Sequence, residues 1–150
     1  MKLGSTSGYD RAMMAVNVAD AKRQGFEVDA VFCSTDVARG RPYPFMAMLN
    51  VIALGVCHVE ACVKVDDTVP GIEEGLNCGM WTVGFSVSGN EVGLSHGDWL
   101  AVSVAEQRRL RGRAAARLWQ SGAHYVVDSI AELVPCLDDI AVRLGRGERP

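Results

Sequence analysis

The sequence predicts an α/β fold with a mostly parallel sheet, on three observations. Apolar runs of strand length recur at residues 29–33, 61–65, 80–85 and 124–127, with helical patterns between them. Glycines and capping residues mark several of the changes of period, among them Gly25, Gly55 and Ser103. Strands that alternate with helices along 150 residues imply one layered domain with one sizeable core. The expected architecture is three-layer and Rossmann-like, with helices on both faces of the sheet. The domain is expected to cover residues 1–144, followed by a polar, frayed tail at 145–150.

The elements follow in order. Residues 1–4 are a short apolar start, read as the last part of a strand. Between 9 and 24, Met13, Met14, Val16 and Ala21 suit an amphipathic helix that stops at Gly25. Residues 29–33 are β-branched and aromatic, as a strand requires. Pro42 fits the first turn of a second helix, continued by Met46, Leu49, Ile52 and Ala53 to Gly55. A strand at 61–65, a helix near 72–78 and a strand at 80–85 come next, and then a glycine-rich irregular stretch at 86–97. Ser103-x-x-Glu106 and Ser129-x-x-Glu132 read as capping boxes that open two helices, with a strand at 124–127 between them. Beyond Ser129, residues such as Leu133, Leu137, Ile140 and Leu144 keep one face apolar at helical spacing.

Composition excludes several function classes. A net charge of -3 and a pI near 5.6 give no general attraction to nucleic acid or acidic membranes. The arginines between 108 and 117 read as the solvated face of a helix, without the interleaved aromatics of a nucleic-acid site. Five cysteines with no C-x-x-C pair, in apolar settings, suggest buried thiols in a reducing compartment. No apolar run reaches membrane-spanning length and no signal-peptide core precedes Gly4, so a cytoplasmic location is expected. The histidines lack metal spacing. Lys64 lies within a strand, and no lysine marks a Schiff-base pocket. A nucleophile elbow and a Walker-type loop are both missing.

Three segments at strand ends carry the chemistry, because strand carboxyl ends in such a sheet face one crevice. Gly4-Ser5-Thr6-Ser7-Gly8 offers the Ser5 and Thr6 hydroxyls. Arg41, before Pro42, offers a permanent cation that matches phosphate oxygens two at a time, at an expected helix start. Asp67, with Asp66 beside it, offers oxygen to a magnesium ion, which is commonly held by one or two carboxylates and a substrate phosphate. Taken singly, the serine, threonine and aspartates also suit helix caps, and the arginine suits a solvated surface. Together in this order they suit a phosphoryl site.

Five strings make the family resemblance: Gly-Ser-Thr-Ser-Gly-Tyr, Gly-Arg-Pro-Tyr-Pro, Val-Lys-Val-x-Asp-Thr-Val, Glu-Glu-Gly-x-Asn-x-Gly-Met-Trp-Thr-Val-Gly and Gly-Asn-Glu-Val-Gly-Leu. They resemble the phosphonoacetaldehyde hydrolase (phosphonatase) family of the haloacid dehalogenase superfamily, to about residue 138. The resemblance implies magnesium-dependent cleavage of the carbon–phosphorus bond of phosphonoacetaldehyde to acetaldehyde and phosphate. It implies phosphoryl binding by Ser5, Thr6 and Arg41, a catalytic role for Arg41, and a metal ligand at Asp67. The family pattern Gly-Asp-Thr-x-x-Asp has Asp66 in place of the glycine and Gly71 in place of the second acid here, which makes Asp66 the candidate substitute. The family's nucleophilic aspartate, on a first strand in mid-sheet, and its Schiff-base lysine, in a helical cap, both precede the hydroxyl motif.

The expected remnant therefore lacks that strand and the cap, and is expected to be inactive alone. It would work with an N-terminal complementing fragment or as a homodimer. The alternatives are a non-catalytic remnant, half of a split enzyme, or another phosphatase of the superfamily.

Overall fold

The structure, a computed structural model, describes residues 1–150. Five strands are present: β1 (Gly4–Ser7), β2 (Ala30–Cys33), β3 (Val63–Asp66), β4 (Trp81–Phe85) and β5 (Tyr125–Val127). Six α-helices accompany them: α1 (Arg11–Arg23), α2 (Phe45–Ala53), α3 (Val69–Cys78), α4 (His96–Ala101), α5 (Val104–Gln120) and α6 (Leu133–Gly145). Every strand pair is parallel, and the α/β class is as the alternation predicts.

The strands form two sheets rather than one. β1 pairs with β2, Gly4 opposite Ala30, while β3, β4 and β5 form the second sheet, Val63 opposite Trp81 and Val83 opposite Tyr125. The unpaired edges of β1 and β3 are joined by side chains instead of backbone ladders. Strand β4 sits between the two halves of the core. On one face Trp81 and Val83 pack against Cys136 and Ile140 of α6; on the other, Ile72 of α3 packs with Leu118 of α5 and Ala123. This half of the molecule has the three expected layers.

The half built on β1 and β2 is thinner. Helix α1 has no buried residue, and Met13 and Val16 are exposed despite their helical spacing. Met14 and Ala21 turn instead toward a cavity of about 290 Å³, lined also by Ser5 and Val31. A helix over a two-stranded sheet has too little surface to bury its apolar stripe.

Local chemistry moves several boundaries. β1 runs from Gly4 to Ser7, so both hydroxyl residues lie on the strand and not beyond it. Helix α2 begins at Phe45, not Pro42: residues 41–44 form a turn in which the Tyr43 N–H donates to the Gly40 carbonyl at 3.1 Å, and Pro44 is the N-cap. Arg41 is therefore not at a helix N-terminus. Ser103 Oγ accepts the Glu106 N–H at 3.2 Å, as the capping motif predicts, but the Glu106 carboxylate turns to Arg109. Ser129 makes no side-chain cap. Glu132 Oε2 accepts the Asp128 N–H at 2.7 Å, and α6 starts only after Glu132. All five cysteines are free thiols, but only Cys33 and Cys136 are buried and Cys57 is exposed. The arginine-rich face of α5 pairs with Glu91, Glu106 and Asp128, as a solvated face would. No helix is long and apolar enough to cross a membrane.

Candidate functional site

Alternation along β3 builds the site. Val63 and Val65 pack into the core under α6, so Lys64 and Asp66 share the opposite face, where both are buried. Helix α3 covers that face. Gly75 allows the approach, because a Cβ there would stand 2.6 Å from Lys64 Cβ and 2.8 Å from Thr82 Cγ2. The neighbouring Glu74 points inward and is fully buried.

Four charges and one hydroxyl meet in the gap between β1 and β3. Glu74 Oε2 accepts from Lys64 Nζ at 2.7 Å, Thr6 Oγ1 at 3.0 Å and Arg41 Nε at 3.3 Å. Lys64 Nζ also donates to Thr6 Oγ1 and stands 3.4 Å from Asp66 Oδ2. Arg41 Nη2 donates to the Thr6 carbonyl at 2.9 Å and to Thr6 Oγ1 at 3.1 Å, and pairs with Asp66 Oδ2 at 3.0 Å. Two cations and two carboxylates balance, which offsets much of the cost of burying each. One oxygen, Glu74 Oε1, has no partner.

Within this cluster Arg41 is the group best placed to meet a ligand. Its side chain is 19% exposed, against 10% for Lys64, 6% for Asp66 and 0% for Glu74. Contacts from three sides hold the guanidinium in one orientation, which favours recognition of a planar pair of anionic oxygens.

The expected hydroxyl pair does not converge. Thr6 faces the charges, whereas Ser5, one residue earlier on the strand, lines the cavity under α1. Side chains of successive strand residues point to opposite faces, so a strand start at Gly4 separates the two alcohols. Asp67 also stands apart: its Oδ2 accepts the Asn90 N–H at 2.9 Å, and no bond links it to Arg41 or Thr6. The loop packs so closely there that a Cβ on Gly89 would overlap Asp67 Cβ.

The residues present do not by themselves fit a divalent metal. No three acidic, histidine or cysteine side chains converge, and Asp66 is engaged by two cations. Asp67 is the one acid of the pair not paired with a cation. A thiol nucleophile is equally unsupported beside the cluster. Burial first, then Cys62 and Glu74, push the Cys78 thiol up to about 11 against the opposing effect of Lys64, so it stays protonated and inert.

Sequence reasoning set Lys64 aside as a strand residue and missed Glu74 and Asn50. Asn50 Nδ2 donates to the Ser5 carbonyl at 3.0 Å and to the Met46 carbonyl at 3.2 Å, tying α2 to β1. The signal for the first two was a charge at an inward position of an otherwise buried strand and of an apolar helix face.

No protein-family profile matches the chain. It is 49% identical over 150 residues to phosphonoacetaldehyde hydrolase from Bordetella pertussis and 52% identical over 151 to that from Aeromonas hydrophila, covering all of this chain and 54% of each relative. The chain thus spans about half the length of the curated relatives it matches. The crystal structure of a phosphonoacetaldehyde hydrolase-like protein from Oleispira antarctica superposes with a TM-score of 0.97 at 52% identity, over 100% of this chain and 54% of that one. A haloacid dehalogenase-family hydrolase from Deinococcus radiodurans, solved with bound phosphate and sodium, superposes at 0.62 with 25% identity, over 91% and 51%. By its sequence and its backbone, the chain is similar to phosphonoacetaldehyde hydrolases and to haloacid dehalogenase-family hydrolases, over about half of their length.

Proposed function

We propose that this chain supplies the phosphoryl-binding half of a phosphonoacetaldehyde hydrolase, with Arg41 and Thr6 at the phosphoryl oxygens. The observation that carries the reading is the buried cluster of Arg41, Lys64, Asp66, Glu74 and Thr6 at the ends of β1 and β3. Arg41 is held rigidly there with one face toward solvent. A fixed cation stabilises charge on a transferring phosphoryl group without reorganising during the reaction.

The two carboxylates against Arg41, those of Asp66 and Glu74, are buried and committed to Arg41 and Lys64, and Lys64 is itself committed to Glu74 and Thr6, so the cluster holds neither a free carboxylate nucleophile nor a lysine free for a Schiff base. Carbon–phosphorus cleavage therefore requires groups from elsewhere. The facing unpaired edges of β1 and β3 support a complementing strand as their source, in the same chain or another. Magnesium dependence, which the resemblance implies, requires Asp67 together with oxygens from outside these residues. A bound divalent ion would neutralise phosphoryl charge.

The test is acetaldehyde release from phosphonoacetaldehyde by the purified chain, alone and co-expressed with the remaining half of a curated relative. We expect turnover only in the combination. Magnesium-dependent turnover by the chain alone would refute the need for outside groups, and failure of the combination would favour a non-catalytic remnant. Preferential cleavage of simple phosphate esters would instead favour another phosphatase chemistry.

A further inference from the structure

Helix α3 holds Arg41 at two points. Glu74 and Asn77 are three residues apart on that helix and so share a face. Glu74 Oε2 accepts from Arg41 Nε at 3.3 Å, which steadies the guanidinium. Asn77 Nδ2 donates to the Pro42 carbonyl at 2.9 Å, which steadies the backbone one residue further on. Arg41 lies in a turn and not in a helix or strand, so no ladder fixes its main chain. The turn's own bond runs from the Tyr43 N–H to the Gly40 carbonyl, and the Asn77 amide is the one hydrogen bond that ties the backbone of residues 40–43 to another element.

We propose that Asn77 is a positioning residue for Arg41: by gripping the turn at Pro42 it sets where the guanidinium enters the cluster of Thr6, Asp66 and Glu74. On the reading that places Arg41 at the phosphoryl oxygens, on which this role rests, Asn77 touches no substrate and acts through Arg41 alone. Contacts to Thr6, Asp66 and Glu74 hold the far end of the arginine, and Asn77 holds the near end. A cation displaced by about 1 Å stabilises a transferring phosphoryl group far less. The chemistry at position 77 is specific. An aspartate has the same shape but no N–H to donate, and sets a negative oxygen against the Pro42 carbonyl. A glutamine keeps the amide on a longer stem, and the exposed site leaves room for it to reach the same carbonyl.

Asn77→Ala, Asn77→Asp and Asn77→Gln test this against the parent in three readouts. The first is the thermal midpoint. The second is the rate at which phenylglyoxal modifies Arg41 in the chain alone, mapped by mass spectrometry with the exposed Arg108 as internal reference. The third is kcat and KM for phosphonoacetaldehyde after co-expression with the remaining half of a curated relative. Asn77→Ala loses one solvent-exposed bond and gains helix propensity, so its midpoint should stay within about 4 °C of the parent's. It should nevertheless raise Arg41 modification by about three- to tenfold and lower kcat by about 10- to 100-fold, with KM changed by less than about threefold. Asn77→Asp should exceed both effects, and Asn77→Gln should reverse most of them.

Arg41 modification at the parent's rate in both Asn77→Ala and Asn77→Asp would overturn the proposal, as would faster modification with an unchanged kcat. A midpoint fall above roughly 10 °C in Asn77→Ala, or a kcat loss as large in Asn77→Gln as in Asn77→Ala, would mark the residue as merely structural and overturn it equally. No turnover in the parent combination would count against the proposed activity, and the phenylglyoxal rates would still decide the role of Asn77.

Discussion

Lys64 of β3 donates a hydrogen bond to Thr6 of β1 across 58 residues of sequence, and this bond spans a gap that no backbone ladder closes. The two sheets are thus held together by buried charge and not by strand pairing. Buried polar networks of this kind are costly when one member is removed.

Glu74 is the hub, so its charge should be indispensable in the parent. Glu74→Gln leaves Lys64 and Arg41 sharing Asp66 alone, and should cost about 3–5 kcal/mol in urea unfolding. Adding Lys64→Met should restore a large part of that loss, because no uncompensated charge then remains. A Glu74→Gln protein with the parent's urea midpoint would contradict this account.

Ser5 and Thr6 should behave differently although they are neighbours. Ser5→Ala alters the wall of an open cavity and should change stability by no more than about 0.5 kcal/mol. Thr6→Val removes a hydroxyl shared by Arg41, Lys64 and Glu74 and should cost about 1–3 kcal/mol. Equal losses would mean that both hydroxyls serve one site.

Gly89→Ala should disturb Asp67. The new methyl would overlap Asp67 Cβ and stand 2.8 Å from the Phe85 carbonyl oxygen, an atom that cannot yield without breaking the end of β4. A destabilisation of about 1–3 kcal/mol is expected, with loss of the Asn90 N–H bond seen as faster amide exchange at Asn90.

His124 makes stability fall with acid. Burial first, and then the Arg143 charge, hold its imidazole below its ordinary value of 6.5. Its Nδ1 accepts the Thr82 N–H at 3.1 Å, which protonation would abolish. The unfolded chain takes up the proton at the higher pKa. Stability is therefore full above 6.5, declines as pH falls from there toward the lower folded value, and levels off below it. His124→Gln should flatten this part of a melting-midpoint-versus-pH curve. An identical slope in both proteins would assign the acid sensitivity to other groups.

Arg41 should matter more to turnover than to folding in the complemented enzyme. Arg41→Lys keeps the charge but loses the fork that reaches Thr6, Asp66 and Glu74 together, and kcat should fall by about 10²–10³-fold. A lysine variant with parental kcat would remove Arg41 from the phosphoryl site.

Much of the fold was legible because periodicity is a local property. The apolar runs that become β2, β3, β4 and β5, and the stripe through Leu133, Ile140 and Leu144 of α6, announce themselves within a few residues each. Arg41 and Thr6 were legible for a similar reason, since strand ends on an alternating α/β chain point to one crevice. Side-chain direction was not. Whether Ser5 or Thr6 faces the charges depends on where β1 starts, and a shift of one residue exchanges the two faces.

Sequence by itself determined the order and type of the elements apart from the short helix α4, the parallel α/β class and the family resemblance, because each rests on residues a few positions apart. Tertiary structure alone decided that the sheet divides between β1 and β3, that Lys64 and Glu74 fill the division, and that Asn77 reaches the turn that carries Arg41. Those facts depend on contacts between segments far apart in the chain, where the cost of burying one charge is set by another that no local pattern reveals.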